Sequence, residues 1–196
     1  MLAEKLREKT IILASGSPRR QQLLKDLGVD FVTRVREINE TFPPELTGVH
    51  IPEHVALQKI LAFKDDIEPN QIVLTGDTIV WHEGKALGKP QSQMQAYSML
   101  RSLSGKEHTV ISSICGMNTE EVVTASDMAT VHVRDLSEEE MIYYVKNGNP
   151  MDKAGAYGIQ EWLGHVAVTK IEGSFNTVMG FPTHLVYKML MELAAV

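Results

Sequence analysis

Two serines and two arginines lie close together in residues 15–20 (Ser-Gly-Ser-Pro-Arg-Arg), directly after a short apolar run. Ser17 is a residue type that begins helices, and Pro18 fits the first helical position. The N-terminus of a helix presents free backbone N–H groups and a partial positive charge, and guanidinium groups bind phosphate oxygens in pairs. These residues therefore indicate a phosphate site. The alternative is a well-capped helix whose two arginines are simply solvated.

Asp77 lies in the segment Thr-Gly-Asp-Thr (75–78), after the apolar run 72–74. The run predicts a strand buried on both faces, and open α/β sheets bind ligands at the carboxyl ends of their strands. In that position Asp77 can hold a divalent cation or orient a water molecule, or it can simply stabilise a turn. Lys89 lies in a Gly-Lys-Pro turn that aims its side chain in one direction, although a lysine in such a turn is often only exposed.

Residues 152–160 (Asp-Lys-Ala-Gly-Ala-Tyr-Gly-Ile-Gln) combine glycines and other small residues with a polar end, Gln160. Small residues let the backbone approach a ligand closely, and a glutamine amide can read the edge of a base or a ribose. An ordered glycine-rich loop without a ligand explains the same pattern.

The elements that must position these motifs alternate between strand and helix patterns. Strands are predicted in the segments 10–14, 29–35, 72–74, 109–116, 121–133 and 166–171, with a hairpin over 79–87. Helices are predicted to begin at Pro18 and at Pro52, after the N-cap Ser92, after a capping box formed by Ser137 and Glu140, and over the last apolar stripe, 185–193. The mixture predicts an α/β fold with a sheet that is partly parallel and partly antiparallel. No linker interrupts the pattern, so we expect a single domain over residues 1–196.

Composition excludes several classes of protein. The chain has 196 residues with 19 Lys and Arg against 25 Asp and Glu, a formal net charge of −6, which argues against a broad nucleic-acid surface. The single cysteine, Cys115, excludes an internal disulfide, and its apolar surroundings predict that it is buried rather than nucleophilic. No apolar run approaches the roughly 20 residues of a membrane-spanning helix. We therefore expect a soluble cytoplasmic protein that binds neither nucleic acid nor membrane.

Together, five motifs in this order resemble the Maf family of nucleoside triphosphate pyrophosphatases, also called septum-formation inhibitor-like proteins. They are residues 15–20, Gly76-Asp77-Thr78, Gly88-Lys89-Pro90, residues 152–160 and Glu172-Gly173-Ser174. The resemblance extends over roughly residues 11–190. It implies an α/β fold with a long twisted mixed β-sheet and flanking helices in two lobes around a cleft, similar to that of inosine triphosphate pyrophosphatases.

The resemblance also implies a reaction. Such a protein hydrolyses a nucleoside triphosphate to the monophosphate and pyrophosphate with a divalent metal cation, Mg²⁺ or Mn²⁺. By resemblance, Asp77 accepts a proton from water and holds the metal together with Glu40, at a point where the family often has two acids and this chain has Asn39 before Glu40. The phosphate-binding positions fall on Ser15, Ser17, Arg19, Arg20, Lys59 and Lys89.

Three residues occupy positions that the family links to substrate choice: Arg20, Thr78 and Gln160. With them the chain resembles the branch of the family that acts on dTTP and UTP, which suits a role in cleaning the nucleotide pool. The alternatives are the branch that acts on 7-methyl-GTP, a nucleotide-binding regulatory module of cell division without turnover, and a phosphatase or sugar-nucleotide hydrolase. The partner implied is a small nucleotide, and the family's habit of pairing implies a homodimer.

Overall fold

A mixed sheet of seven strands runs through the chain, of which the computed structural model describes residues 1–195. The strands are β1 (Thr10–Leu13), β2 (Phe31–Thr33), β3 (Gln71–His82), β4 (Lys85–Leu87), β5 (Glu107–Met117), β6 (Val122–Val133) and β7 (Val168–Glu172). Their order in the sheet is β2-β1-β3-β5-β6-β7, and β4 pairs with β3. Strand β1 is parallel to β2 and β3, whereas the β3–β4 and β6–β7 pairs are antiparallel. The predicted α/β fold with a mixed sheet is confirmed.

Helices flank the sheet. They are α1 (Leu2–Lys5), α2 (Pro18–Asp26), α3 (His50–Leu61), α4 (Gln93–Leu103), α5 (Glu138–Asn147), α6 (Trp162–Ala167), α7 (Phe175–Val178) and α8 (Thr183–Leu193), with 3-10 turns at Pro150–Asp152 and Ala154–Ala156. Two predicted N-caps are confirmed, because the Ser92 hydroxyl accepts from the Gln95 N–H and Ser137 forms a capping box with Glu140. No helix within residues 1–195 is long and apolar enough to span a lipid bilayer.

The chain forms two compact units, each with its own apolar core. The first unit comprises Met1–Asp77, Ser112–Asp127 and the chain from Gly180 onward, and the second comprises Thr78–Ile111 and Met128–Met179. The first core contains fully buried side chains from β1, α3 and β3, among them Ile12, Ala56, Ile60 and Val73. The second core is built around α4, α5 and β6, with Ala96, Leu100, Val131 and Tyr144 fully or almost fully buried.

Strand β3 continues beyond the end that the sequence predicts for it. The sequence predicts a strand over 72–74, with a turn as one alternative for Asp77, but β3 runs unbroken from Gln71 to His82, so Asp77 lies inside the strand. Two contacts explain this. The buried Thr75 hydroxyl donates to the Ala56 carbonyl, at 2.8 Å, and a Cβ atom at Gly76 would lie 3.0 Å from the Ser113 carbonyl oxygen. The small and polar residues thus permit close approach within a strand instead of forming a turn.

Other predicted boundaries also need correction. Helix α3 begins at His50, two residues before Pro52, which therefore lies in the first turn, where a missing N–H is tolerated. The strand predicted over 29–35 is confined to β2, and the strand predicted from residue 166 begins at Val168 because α6 extends to Ala167. Ser17 precedes α2 as predicted, but its side chain makes no capping hydrogen bond.

Candidate active site

Lys59 brings two carboxylates together in the first unit. Its Nζ atom lies 2.8 Å from Asp77 Oδ1 and 3.2 Å from Glu40 Oε2. The side chains of Lys59 and Asp77 are 15 % and 16 % exposed, whereas that of Glu40 is 50 % exposed. An ammonium group between two carboxylates offsets their mutual repulsion. Three residues that the sequence singled out, distant from one another along the chain, are therefore in direct contact.

Helix α3 and strand β3 place Lys59 and Asp77. Thr75, two residues before Asp77 on β3, donates its hydroxyl hydrogen to the carbonyl of Ala56, one helical turn before Lys59. Near the start of the same helix, Glu53 Oε1 accepts a hydrogen bond of 2.8 Å from the Ser126 hydroxyl on β6. Both contacts hold α3 against the sheet.

The serine–arginine segment 15–20 lies between β1 and the first turn of α2. Ser15 is buried, and its Oγ accepts hydrogen bonds from the Ser17 N–H, at 3.3 Å, and from Arg20 Nη1, at 3.4 Å. The segment is thus folded back on itself at a helix N-terminus, the arrangement that binds anions. Arg19 is half-buried on the first turn of α2.

Arg20 is anchored to backbone rather than extended into solvent. Its Nη1 atom donates to the Gly76 carbonyl and its Nε atom to the Gly180 carbonyl, both at 2.9 Å. Burial lowers the pKa of the Arg20 guanidinium from its ordinary value, and the negative charge of Asp77 opposes this shift. Arg20 therefore connects the serine–arginine segment to the strand that carries Asp77. Sequence reasoning missed the part played by Gly180, because a backbone carbonyl leaves no signal in residue type.

Asp77 and Glu40 fit a hard divalent cation that arrives with a phosphate ligand. Mg²⁺ typically binds through one or two carboxylates and completes its shell with water and substrate phosphates. The shared contact with Lys59 Nζ shows that both carboxylates already face one cationic group. In residues 1–195 no cluster of three or more His, Cys, Asp or Glu side chains is arranged to hold a metal ion. The residues present thus suit a cation shared with substrate rather than a cage of protein ligands.

The remaining predicted site residues belong to the second unit. Thr78 directly follows Asp77 on β3 and is half-buried, and Lys89 is exposed in the loop after β4. That loop is joined to the glycine-rich segment, because the Gly155 N–H donates to the Gly88 carbonyl at 3.2 Å. Gln160 ends the glycine-rich segment. Its Oε1 atom is buried and has no hydrogen-bond partner in the part of the chain that the structure describes.

Cys115 is inert, as the sequence predicts. It is fully buried on β5, and burial raises the pKa of its thiol to about 11, while a hydrogen bond with Thr124 opposes the shift. A thiol with so high a pKa carries almost no thiolate at neutral pH.

A solved structure of another protein has the same fold. The structure of the Ham1 protein from Staphylococcus aureus superposes with a TM-score of 0.54 at 16 % sequence identity, over 94 % of this chain and 99 % of that protein. At this level of identity the likeness shows a shared fold alone.

Sequence relatives identify the family. The chain is 50 % identical, over 98 % of its length and the whole of the relative, to a protein of Flavobacterium johnsoniae named dTTP/UTP pyrophosphatase. It is 46 % identical to a protein of Bacteroides thetaiotaomicron with the same name, over 93 % of this chain and 95 % of the relative. The family model described as Maf-like protein matches residues 10–193. The resemblance seen in the five motifs is thereby confirmed, and the chain belongs to the family of Maf-like proteins.

Proposed function

We propose that this protein is a nucleoside triphosphate pyrophosphatase that converts dTTP and UTP to the monophosphate and pyrophosphate. Relatives named dTTP/UTP pyrophosphatase support this reaction, because they match the chain over nearly its full length. The observation that carries the mechanism is the contact of Lys59 with both Asp77 and Glu40. The Lys59 ammonium group beside two carboxylates, in a half-buried site, supplies the positioning and charge that phosphoryl chemistry demands of a protein.

Asp77 is the proposed proton acceptor. A water molecule that attacks the α-phosphorus must lose a proton, and the bond from the α-phosphorus to the bridging oxygen then breaks, so that pyrophosphate leaves. Asp77 is only 16 % exposed and sits within a strand rather than a mobile loop. A carboxylate held in this way can accept the proton at a fixed point in space, which is the requirement for general-base catalysis.

Cations and backbone N–H groups bind the triphosphate in this proposal. The N-terminus of α2, the hydroxyl groups of Ser15 and Ser17, and Arg19 form one group of donors in the first unit. Lys59 offers an ammonium group next to Asp77, and the exposed Lys89 offers a second one from the second unit. Arg20, which is tied to two carbonyls, holds the serine–arginine segment in place.

A divalent cation, Mg²⁺ or Mn²⁺, held by Asp77 and Glu40 would neutralise phosphate charge and act as a Lewis acid at the phosphate. Glu40 is the more exposed of the two carboxylates, so its side chain can follow a substrate as it binds. Lys59 lies beside both acids and balances their charge in this structure.

Gln160 is the proposed reader of the base, with Thr78 and Arg20 as the other residues that set substrate choice. Uracil and thymine carry an N3–H donor, whereas N3 of cytosine is an acceptor. The buried Gln160 Oε1 atom, which lacks a partner within residues 1–195, matches the donor. An acceptor left without a donor is costly, so a base that cannot donate is rejected.

A panel of nucleoside triphosphates tests the proposal. The purified protein is incubated with Mg²⁺ or Mn²⁺ and each nucleotide, and the products are identified by chromatography. We expect UMP and dTMP with pyrophosphate. Turnover confined to 7-methyl-GTP would overturn the assignment of the base, and release of orthophosphate or a sugar phosphate would overturn the reaction. Binding without turnover would point to a regulatory nucleotide-binding module.

We further propose that the protein acts in the cytoplasm as a single functional domain and pairs as a homodimer. The nucleotide pool on which such an enzyme acts is cytoplasmic. Light scattering during gel filtration gives the mass of the particle and tests the pairing directly.

A further inference from the structure

The segment that leads to Gln160 has a strained backbone. Gly155 and Ala156 both adopt positive φ angles, +67° and +63°. Alanine rarely adopts this conformation, because its Cβ atom crowds the following carbonyl. Such a conformation persists only where surrounding contacts impose it.

A buried lysine supplies the first of these contacts. Lys153 is only 4 % exposed, and its Nζ atom lies 2.6 Å from Glu161 Oε1, 2.5 Å from Asp152 Oδ1 and 2.6 Å from the Asn149 carbonyl oxygen. Three acceptors match the three N–H donors of the ammonium group. Lys153 lies near the start of the glycine-rich segment and Glu161 directly follows its last residue, so their ion pair closes the segment into a loop.

Tyr144 on α5 supplies the second contact. Its hydroxyl donates a short hydrogen bond to Glu161 Oε2 and accepts one of 3.1 Å from the Gly158 N–H. The side chain is 1 % exposed, and burial raises the pKa of the hydroxyl, so it stays protonated and remains a donor at neutral pH. One hydroxyl group thus joins the helix to the segment at two points.

Gln160 lies between these two anchored points. Gly158 is held two residues before it and Glu161 directly after it, while the side-chain amide of Gln160 has a buried oxygen without a partner in the described part of the chain. The backbone of Gln160 is therefore held on both sides, by the bond to Gly158 before it and by the ion pair of Glu161 after it.

We infer that Tyr144, Glu161 and Lys153 form a positioning network that sets the orientation of Gln160 and thereby the preference for uracil and thymine over cytosine. This inference rests on the proposed function, since it concerns how the same enzyme selects its base. Tyr144 is a positioning residue, because it acts through Gln160 and through the backbone of residues 158–161.

Tyr144→Phe tests the inference, because it removes the hydroxyl and keeps the buried ring. We expect the ratio of kcat/KM for UTP to that for CTP to fall about tenfold, mainly through a higher KM for UTP, as a displaced specificity group would produce. In a Gln160→Ala background the same substitution should leave the ratio unchanged, since the group through which it acts is gone. Tyr143→Phe, one residue earlier on α5 and exposed, is the matched control and should behave as the wild type.

The outcomes separate the network from the proposed function. A Tyr144→Phe variant with a lower Tm but an unchanged UTP-to-CTP ratio would show a purely structural role and overturn the inference. A further fall of the ratio in the Gln160→Ala background would also overturn it. Failure of the wild type to hydrolyse UTP or dTTP would instead contradict the proposed function. If Tyr144→Phe does not fold, Glu161→Gln, which keeps an acceptor for Tyr144 but loses the charge paired with Lys153, is expected to lower the same ratio.

Discussion

The hydroxyl of Thr75 on β3 donates a 2.8 Å hydrogen bond to the carbonyl of Ala56 on α3. Both residues are fully buried. Asp77 lies two residues after Thr75, and Lys59 lies one helical turn after Ala56, so this bond helps to set the spacing between the proposed base and its ammonium partner. The 2.8 Å contact between Lys59 and Asp77 depends on that spacing.

Removing this hydroxyl should therefore lower the rate as well as the stability. Thr75→Val keeps the shape and loses the bond, and we expect about a tenfold lower kcat, because small displacements of a catalytic group are costly. The loss of stability should be about 1 kcal/mol, the usual net worth of one hydrogen bond. Steady-state kinetics with UTP and urea unfolding measure the two effects. Thr75→Ser, which keeps the hydroxyl, should recover most of the rate; if it does not, the bond is not the cause.

Asp77→Asn tests the proposed proton acceptor. The amide keeps the shape of the side chain but cannot accept the proton, so turnover should fall at least about 100-fold, the low end of general-base contributions. Binding of a non-hydrolysable UTP analogue, measured by calorimetry, should persist. Asp26→Asn on the surface of α2 is the control and should retain activity. Near-normal turnover in Asp77→Asn would refute the assignment.

Local signals in the sequence predicted much of the fold. Ser92, Ser137 and Glu140 marked helix starts correctly, because a capping side chain and the backbone that it serves are only three residues apart. The end of β3 was predicted wrongly, because the strand continues through residues 75–78 to His82. Its small residues serve a long-range purpose, close packing of Gly76 against Ser113, which no local pattern reveals.

The candidate site shows the same contrast between residues that the sequence identifies and long-range contacts that it does not reveal. Lys59, Asp77 and Glu40 were identified through family motifs, and the structure brings them into contact. Arg20 was also identified, but its contact with the Gly180 carbonyl spans 160 positions along the chain. Tyr144 appears in the sequence as an apolar position of an amphipathic helix, and nothing in its spacing indicates that its hydroxyl bonds Glu161.

Lys89→Ala tests the exposed phosphate-binding lysine. An ammonium–phosphate hydrogen bond is worth about 1.5–3 kcal/mol, so kcat/KM for UTP should fall roughly 10- to 100-fold. Lys85→Ala removes an equally exposed charge from β4, four residues earlier, and controls for the general loss of positive charge. Equal effects of the two substitutions would mean that Lys89 contributes only to the overall positive charge of the protein surface and does not bind the phosphate directly.

Stability should fall in mild acid because of His108. This residue is 3 % exposed on β5, and its Nε2 atom lies 2.7 Å from the Tyr157 hydroxyl in the glycine-rich segment. Burial, followed by the nearby His82 and His132, lowers its pKa from 6.5 to about 4. Between these two pH values the unfolded chain binds a proton at this position and the folded chain does not, so acid favours unfolding.

The size of this effect follows from the two pKa values. Each tenfold change in proton affinity corresponds to about 1.4 kcal/mol. The titration of His108 alone should therefore lower the free energy of unfolding by about 3 kcal/mol as the pH falls from 6.5 to 4. His108→Gln keeps a side chain that can bond Tyr157 but cannot titrate. The drop in its unfolding free energy between pH 6.5 and 4 should therefore be smaller than that of the wild type by about 3 kcal/mol. Urea unfolding at several pH values measures the difference. His165→Gln, at an exposed position, should keep the wild-type pH dependence, and if His108→Gln keeps it as well, His108 is not the group responsible.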